Sequence, residues 1–288
     1  MDVALQKVKQ MQLEKVRALV AQRHIHGSVR EFTVAGTAYK MLFYPAKRRC
    51  APLYIDIHGG GFCWGMMEEG DLFCHRINER FDCAVIAPDY PLGPETRFPA
   101  AQEHLYRLIE YLYDTPQELG INPQRIVVGG RSAGGNLAAT LCLLAKKRGK
   151  FMFAAQVLDH PCLDISHLLD DRLRYAGEGA LTPSIMEALA VAYADLNDRN
   201  SILCSPVRAT KEELKGLPPA VIQTCELDSL QIDGETYAKM LEDAGVPVEY
   251  HCYQGVLHGF TETEGPEEEN GIQWLMDALE KVTKGLEA

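Results

Sequence analysis

The stretch IVVGGRSAGGN, residues 126–136, places four glycines around a single serine, directly after a run of β-branched residues. The β-branched run predicts a buried strand, and the segment after Ser132 predicts a helix. Residues 130–134 match G-x-S-x-G, a motif in which the serine occupies a sharp strand-to-helix turn. Glycine-rich turns also bind phosphate groups, but neither G-x-x-x-x-G-K-[ST] nor G-x-G-x-x-G occurs in this chain. The stretch therefore predicts a nucleophilic serine at the end of a strand.

Short apolar strands alternate with helical segments along the rest of the chain. The predicted strands are LYIDI (53–57), CAVIA (83–87), RIVVG (125–129), FAAQVL (153–158), AVIQT (220–224) and VEYHCY (248–253), and the predicted helices cover 3–20, 100–113, 133–147, 232–244 and 270–284. EFTVAGTAYKMLFYP (31–45) adds a hairpin that turns at Ala35, Gly36 and Thr37. This alternation predicts an α/β fold with a mostly parallel central sheet of about eight strands and helices on both faces.

One long segment interrupts the alternation. Residues 163–210 separate two predicted strands by more than a crossover helix needs. Within them, TPSIMEALAVAYADL predicts a helix with Thr182 as its N-cap and Pro183 at its first position. Because α/β folds bind ligands beyond the carboxyl ends of their strands, we expect this insertion to form a lid, with structural padding as the alternative.

A second glycine motif, HGGGFCWG at residues 58–65, follows the strand LYIDI. Three consecutive glycines at a strand end leave backbone N–H groups free to converge on one point, which suits a developing oxyanion. A flexible turn would explain one or two glycines, but it explains three after a histidine less well. We expect the N–H groups of Gly60, Gly61 and Ala133 to form the oxyanion hole.

A serine nucleophile needs a base, and the base needs a carboxylate that fixes its tautomer. His258 in GVLHGF follows the VEYHCY strand and is the expected base, with His160 as the second choice. Asp228 in CELDSL follows AVIQT and is the expected orienting acid. The competing carboxylates are Glu226, Asp233 and Asp159.

The motifs HGGGF, GRSAGGN, ELDSL and HGF occur in an order that resembles the hormone-sensitive-lipase-like branch of the α/β hydrolases, which contains many bacterial carboxylesterases. The resemblance covers about residues 36–262 and implies an α/β-hydrolase fold with a triad of Ser132, Asp228 and His258. It also implies one domain over residues 1–288, with a small helical cap formed from 1–25 and 163–210. DYPLGPETRFPA resembles the tyrosine and proline-rich loop of the family, a mainly structural feature.

The chain departs from the family pattern beside two of these residues. Arg131 stands where the family usually has aspartate, and Ser229 stands where proline commonly follows the acid of the triad. Neither change removes a catalytic group. We expect Arg131 either to alter the support of the serine turn or to favour a negatively charged substrate.

These residues predict a serine carboxylesterase that hydrolyses short-chain, acetyl-like esters through an acyl-enzyme and requires no metal or cofactor. The residues expected to line its substrate pocket are Phe62, Trp64, Leu163, Leu181 and Met186. An amidase or formamidase that uses the same triad is one alternative. A non-catalytic ligand-binding protein on the same fold is the other, and the presence of His258 argues against it.

Composition narrows the class of partners. A formal charge of −11 argues against a nucleic-acid or anionic-membrane surface. The expected partner is the small-molecule ester that the motifs above indicate. Nine scattered cysteines and an N-terminus without a signal-peptide pattern predict a cytoplasmic location, and a homodimer is the assembly to test. The acidic run ETEGPEEEN, residues 262–270, is interpreted as a solvated loop.

Overall fold

Strands and helices alternate along the residues that the computed structural model describes, which are 3–166, 181–262 and 265–283. The strands are β1 (Ser28–Val34), β2 (Thr37–Tyr44), β3 (Ala51–Ile57), β4 (Ala84–Pro88), β5 (Ile121–Arg131), β6 (Ala155–Asp159), β7 (Ala220–Leu227) and β8 (Val248–Leu257). The helices are α1 (Val3–Val20), α2 (Asp71–Phe81), α3 (Ala100–Asp114), α4 (Ala133–Arg148), α5 (Pro183–Tyr193), α6 (Lys211–Leu214), α7 (Gln231–Asp243) and α8 (Pro266–Thr283).

The eight strands form one sheet in the order β1-β2-β4-β3-β5-β6-β7-β8. β2 pairs antiparallel with β1 and with β4, and every pair from β4 to β8 is parallel. The prediction of a mostly parallel sheet of about eight strands is confirmed. Because the parallel strands all end at the same edge, the segments that follow β3, β5, β6, β7 and β8 are neighbours in space.

Helices cover both faces of the sheet. In β3, Leu53, Ile55 and Ile57 point to one face and Tyr54 to the other, as the period of a strand requires. The first face packs against α3, α4 and α7, and the second packs against α2 and α8. Burial on both faces explains why the central strands are continuously apolar in sequence.

Two parts of the sequence fold differently from expectation. Helix α2 was not predicted, although Phe73, Ile77 and Phe81 recur at the four-residue spacing of a helix face. The interpretation of the run 262–270 as a solvated loop is wrong from Pro266 onward, where α8 begins, and residues 263 and 264 lie outside the described part of the chain. Proline at the first helical position and three glutamates in the first turn (Glu267, Glu268 and Glu269) are ordinary signals of a helix start.

The described part of the long insertion packs against the segments that follow β3 and β4. Thr182 caps α5 by accepting a hydrogen bond from the Ile185 N–H, as predicted. At the end of α5, the Tyr193 ring stacks on the Phe62 ring with centroids 3.8 Å apart, and the Tyr193 carbonyl accepts from the Phe98 N–H at 2.8 Å. The rest of the expected cap between 167 and 180 lies outside the described residues.

Helix α1 also contacts the loop after β4. Its Lys9 Nζ donates to the Gly93 carbonyl at 2.7 Å and pairs with the Glu95 carboxylate. Across residues 3–166, 181–262 and 265–283, every helix is too short or too polar to span a bilayer.

Candidate active site

Ser132 lies at the turn between β5 and α4 with backbone angles φ 53° and ψ −114°. A non-glycine residue at positive φ is strained and persists only where its surroundings hold it. Here the Ser132 N–H donates to the Asp159 carbonyl at 2.9 Å, and the Ser132 carbonyl accepts from the Cys162 N–H at 3.1 Å. Both partners belong to the end of β6 and the segment after it, so the neighbouring strand fixes the turn.

The small residue at 134 lets the start of α4 approach the end of β3. A Cβ built on Gly134 would lie 2.0 Å from the Ile57 carbonyl oxygen and 2.5 Å from the His58 carbonyl oxygen. Both neighbours are backbone atoms and cannot rotate away. The second glycine of G-x-S-x-G is therefore required by the close approach of two chain segments.

Three polar side chains form a hydrogen-bonded chain that ends at Ser132. The Ser132 Oγ lies 2.9 Å from His258 Nε2, and His258 Nδ1 lies 2.6 Å from Asp228 Oδ2. Asp228 Oδ1 accepts from the Leu230 N–H at 3.0 Å, which fixes the carboxylate. The structure thus brings together the three residues that the motifs singled out.

The carboxylates around His258 favour its protonated form, the imidazolium that arises when it accepts the serine proton. Burial alone lowers the pKa of His258, but the charge and hydrogen bond of Asp228 outweigh burial and raise that pKa above its usual value. Burial works against ionisation of Asp228 too, yet His258 and the Leu230 N–H lower the pKa of the carboxyl. Asp228 is therefore ionised at neutral pH and stabilises the proton that His258 takes up.

The rival candidates have other partners. His160 is buried, its pKa is lowered to about 3 by burial, and its Nε2 lies 3.3 Å from Thr261 Oγ1. The rival carboxylates accept hydrogen bonds from other groups. Glu226 accepts from the Gly255 N–H, and Asp233 accepts from the N–H groups of Leu163 and Asp164. Asp159 accepts from the side chains of Gln223 and Thr261. Asp228 is the carboxylate that meets His258 Nδ1.

Hydrogen bonds to its backbone carbonyl groups hold the glycine loop after β3 in place. The Tyr90 hydroxyl donates to the carbonyls of His58 and Gly59, and the Tyr90 ring stacks on the His58 ring with centroids 4.2 Å apart. The Gly60 carbonyl accepts from the N–H groups of Cys63 and Trp64, both at 3.0 Å. Tyr90, in the loop expected to be structural, therefore supports the backbone of this motif.

The N–H groups expected to form the oxyanion hole are free of protein acceptors. Within the described ranges, the N–H groups of Gly60, Gly61 and Ala133 donate to no carbonyl or side chain. The Ala133 N–H belongs to the first turn of α4, where helical N–H groups lack an intrahelical partner. Free backbone donors are therefore present both in the glycine loop after β3 and at the start of α4.

An apolar cavity of about 40 Å³ opens next to Ser132. Its lining consists of Gly61, Phe62, Ser132, Ala133, Cys162, Ile165, Leu181, Met186, Leu189, Ala190 and Leu230. It includes three of the five predicted pocket residues. Leu189 was not among the predicted pocket residues, although its position three residues after Met186 places both on one face of a helix.

The other two predicted pocket residues lie elsewhere. Leu163 is fully buried in the main core, and its N–H donates to Asp233. Trp64 is partly buried against the glycine loop, where its N–H donates to the Gly60 carbonyl. Both residues support the surroundings of the cavity and do not line it.

Arg131 is fully engaged by the protein. Its Nη1 and Nη2 donate to the two carboxylate oxygens of Asp56 at 3.1 and 2.9 Å, and its Nε lies 3.2 Å from Glu262 Oε1. The guanidinium is 6% exposed, and a Cβ at Gly70 would lie 2.4 Å from its Nη2. Two carboxylates already surround this side chain, so it supports the serine turn and does not offer a site for a negatively charged substrate.

The described residues contain no group of three or more histidine, cysteine, aspartate or glutamate side chains arranged to hold a metal ion. The site described above offers a serine, a histidine, a carboxylate and free backbone donors.

Comparison with known proteins connects this geometry to a family. Residues 54–262 match a family model described as alpha/beta hydrolase fold. The chain is 32% identical over 255 residues to an arylesterase of Saccharolobus solfataricus, covering 86% of this chain and 82% of that protein. It is 32% identical over 241 residues to an ethyl acetate hydrolase of Pseudomonas putida, covering 82% and 74%. A thermostable carboxylesterase from a metagenomic library superposes with a TM-score of 0.88 at 30% identity, covering 100% of both chains.

Proposed function

The chain belongs to the α/β-hydrolase fold family, in the hormone-sensitive-lipase-like branch that its motifs predicted, and on this premise we propose that it is a serine carboxylesterase for short-chain, acetyl-like esters. The observation that carries the proposal is the hydrogen-bonded chain from Asp228 through His258 to Ser132 Oγ. The relatives named as esterases support the reaction class.

In the first half of the proposed reaction, His258 Nε2 takes the proton of the Ser132 hydroxyl as the oxygen attacks the ester carbonyl. The carbonyl oxygen becomes an oxyanion, and the N–H groups of Gly60, Gly61 and Ala133 stabilise it. Asp228 stabilises the imidazolium and keeps the ring oriented. His258 then protonates the departing alkoxide, which leaves an acyl group on Ser132.

In the second half, water repeats the attack on the acyl-enzyme. His258 removes a proton from the water as its oxygen adds to the acyl carbonyl, and the same N–H groups stabilise the second oxyanion. The tetrahedral intermediate collapses, the bond to Ser132 Oγ breaks, and the serine recovers its proton from His258. The products are a carboxylic acid and an alcohol.

The apolar cavity beside Ser132 is the proposed acyl pocket. A volume of about 40 Å³ corresponds to about three water-sized positions, which suits an acetyl group better than a long acyl chain. Phe62, Leu181, Met186 and Leu189 supply the apolar walls. The similarity to an ethyl acetate hydrolase favours the same acyl size.

We propose that the insertion acts as the cap of a single hydrolase domain. Met186 and Leu189 of α5 lie over the serine turn, and the Ser229 hydroxyl beside Asp228 donates to the Leu181 carbonyl at 3.0 Å. The contact of Lys9 with Gly93 supports a place for α1 in the same cap. Residues 1–25 and 163–210 then enclose the substrate from above the sheet.

Location and assembly follow as further parts of the proposal. The nine cysteines are all free, which favours a reducing, cytoplasmic location. A homodimer is proposed because β8 lies at one edge of the sheet, where a strand can pair with a second copy. Light scattering during size-exclusion chromatography would give a mass of twice 32.1 kDa for a dimer.

The experiment that tests the function compares the wild type with Ser132→Ala on p-nitrophenyl acetate, and labels both with a fluorophosphonate probe. We expect the substitution to abolish labelling and to lower kcat/KM by roughly 10⁴-fold or more. Ser28→Ala, which changes an exposed serine of β1, should keep both activities. Full activity of Ser132→Ala would refute the mechanism.

The same assay separates the alternatives. Matched acetamide and formamide substrates run beside the esters should turn over far more slowly if the enzyme is an esterase. Faster amide turnover would identify an amidase or formamidase. A wild type that neither labels nor hydrolyses any of these substrates would support a ligand-binding protein.

A further inference from the structure

The loop that carries His258 is attached to the sheet just after the histidine. A 3₁₀ turn over Phe260–Glu262 follows, closed by a hydrogen bond from the Glu262 N–H to the Gly259 carbonyl at 2.9 Å. The Thr261 hydroxyl donates to Asp159 Oδ2 at 2.6 Å, and Glu262 pairs with Arg131. Two side chains therefore bind this loop to the carboxyl ends of β5 and β6.

Arg131 is a rigid anchor for one of these contacts. The two hydrogen bonds to Asp56 of the neighbouring strand fix the plane of the guanidinium, which leaves its Nε edge directed at Glu262. The Phe73 ring lies 5.8 Å from the guanidinium carbon. Since Arg131 directly precedes Ser132, the position of Glu262 is defined relative to the nucleophile itself.

We propose that Glu262, held by Arg131, is a positioning residue that keeps His258 Nε2 at hydrogen-bond distance from Ser132. The proposal rests on the esterase function proposed above and assigns Glu262 no contact with the reacting atoms. One ion pair joins the residue before the nucleophile to the residue four positions after the base. Movement of the histidine loop away from Ser132 would have to break that pair.

Glu262 also acts on His258 through its charge. Its carboxylate is one of three that favour the protonated imidazole, with Asp228 and Asp159 as the others. The other charged or titratable groups near His258 and Glu262 include His160 at the end of β6, Arg131 at the end of β5, and Glu69, whose pKa is raised to about 7 by burial and by Glu262. Arg23, His24, His26, Asp71 and Glu268 line the same cavity as Glu262. Loss of the Glu262 charge therefore makes His258 easier to deprotonate.

Two substitutions at 262 separate position from charge. Glu262→Gln keeps an oxygen that can accept from Arg131 Nε but removes the charge, so kcat at pH 8 should change less than about threefold while the acid limb of kcat/KM moves to lower pH. Glu262→Ala removes the contact, and we expect kcat to fall by about 10- to 100-fold with KM nearly unchanged. The side chain is 37% exposed, so both variants are expected to fold.

The control is Glu267→Gln and Glu267→Ala, the same changes at an exposed glutamate in the first turn of α8. Both should keep the wild-type kcat and pH profile. An unchanged kcat for Glu262→Ala, or a rise in KM alone, would overturn the positioning role. An acid limb that does not move in Glu262→Gln would overturn the electrostatic one.

Failure of this inference is distinct from failure of the esterase function. If the wild type does not label with fluorophosphonate or hydrolyse p-nitrophenyl acetate, the esterase function fails and the role of Glu262 fails with it. If the wild type is active and Glu262→Ala is equally active, the esterase function stands and only the positioning role is wrong.

Discussion

At the scale of single residues, the backbone groups near Ser132 leave no room for a methyl group at position 134. Gly134→Ala places a Cβ 2.0 Å from the Ile57 carbonyl oxygen, so either α4 or the end of β3 must move. We expect the free energy of unfolding, measured by chemical denaturation, to fall by at least about 1–3 kcal/mol. The folded fraction should also lose esterase activity. Gly265→Ala, where a Cβ meets only ordinary contacts, should be close to neutral. Equal stability of the two variants would show that the turn relaxes without cost.

The second prediction at this scale concerns pH. His258 must be neutral to accept the proton of Ser132, and Asp228 raises the pKa of His258 despite burial. The value of kcat/KM should therefore fall as pH drops, with a midpoint above about 6.5, the usual pKa of histidine. Asp228→Asn should move this midpoint to lower pH and reduce kcat by roughly 10⁴-fold.

Glu226→Gln is the matched control for that change, since it removes a carboxylate charge two residues away that does not bind His258. Its profile should match the wild type. A flat wild-type profile between pH 5 and 8 would contradict the assignment of His258 as the base.

At the scale of elements, helix α5 supplies the wall of the proposed acyl pocket. Leu189 lies against the glycine loop, since a Cβ at Gly61 would lie 2.6 Å from its Cδ1. Leu189→Ala should extend the cavity and raise the ratio of kcat/KM for p-nitrophenyl butanoate over acetate by about tenfold or more, because each methylene in such a pocket changes discrimination by about 1–3 kcal/mol.

The control for the pocket is Val191→Ala on the same helix, where the side chain is 53% exposed. It should keep the wild-type preference. If Leu189→Ala keeps it too, the acyl group binds elsewhere, and the cavity beside Ser132 does not determine chain length.

The elements show what periodicity can and cannot predict. The apolar strands and α5 with its Thr182 cap were predictable, because burial and capping depend on residues close in sequence. Helix α2 was missed although Phe73, Ile77 and Phe81 recur four residues apart, which is a helical signal that the sequence does carry. The start of α8 was not predicted, because the acidic residues 267–269 are also typical of a solvated loop. Proline followed by glutamates is, however, equally typical of a first helical turn.

At the scale of the whole molecule, the parallel sheet turns distant sequence positions into neighbours. Ser132, Asp228 and His258 each follow a strand, and the common edge brings them within two hydrogen bonds of one another. The proximity of these three side chains was predictable from the order of the strands and from the motifs at their ends. The partners of Arg131 were not, since Asp56 and Glu262 lie 75 positions before it and 131 after it, and no spacing rule links a strand, a turn and a loop.

The same three-part contact restricts which residues position 131 can accept. Aspartate at 131 would bring a third carboxylate to Asp56 and Glu262, and the volume that the guanidinium fills beside Gly70 would be left empty. That single exchange would leave the buried Asp56 carboxylate without its guanidinium partner, which is strongly destabilising. Aspartate at 131 would therefore be tolerated only together with changes at Asp56 or Glu262.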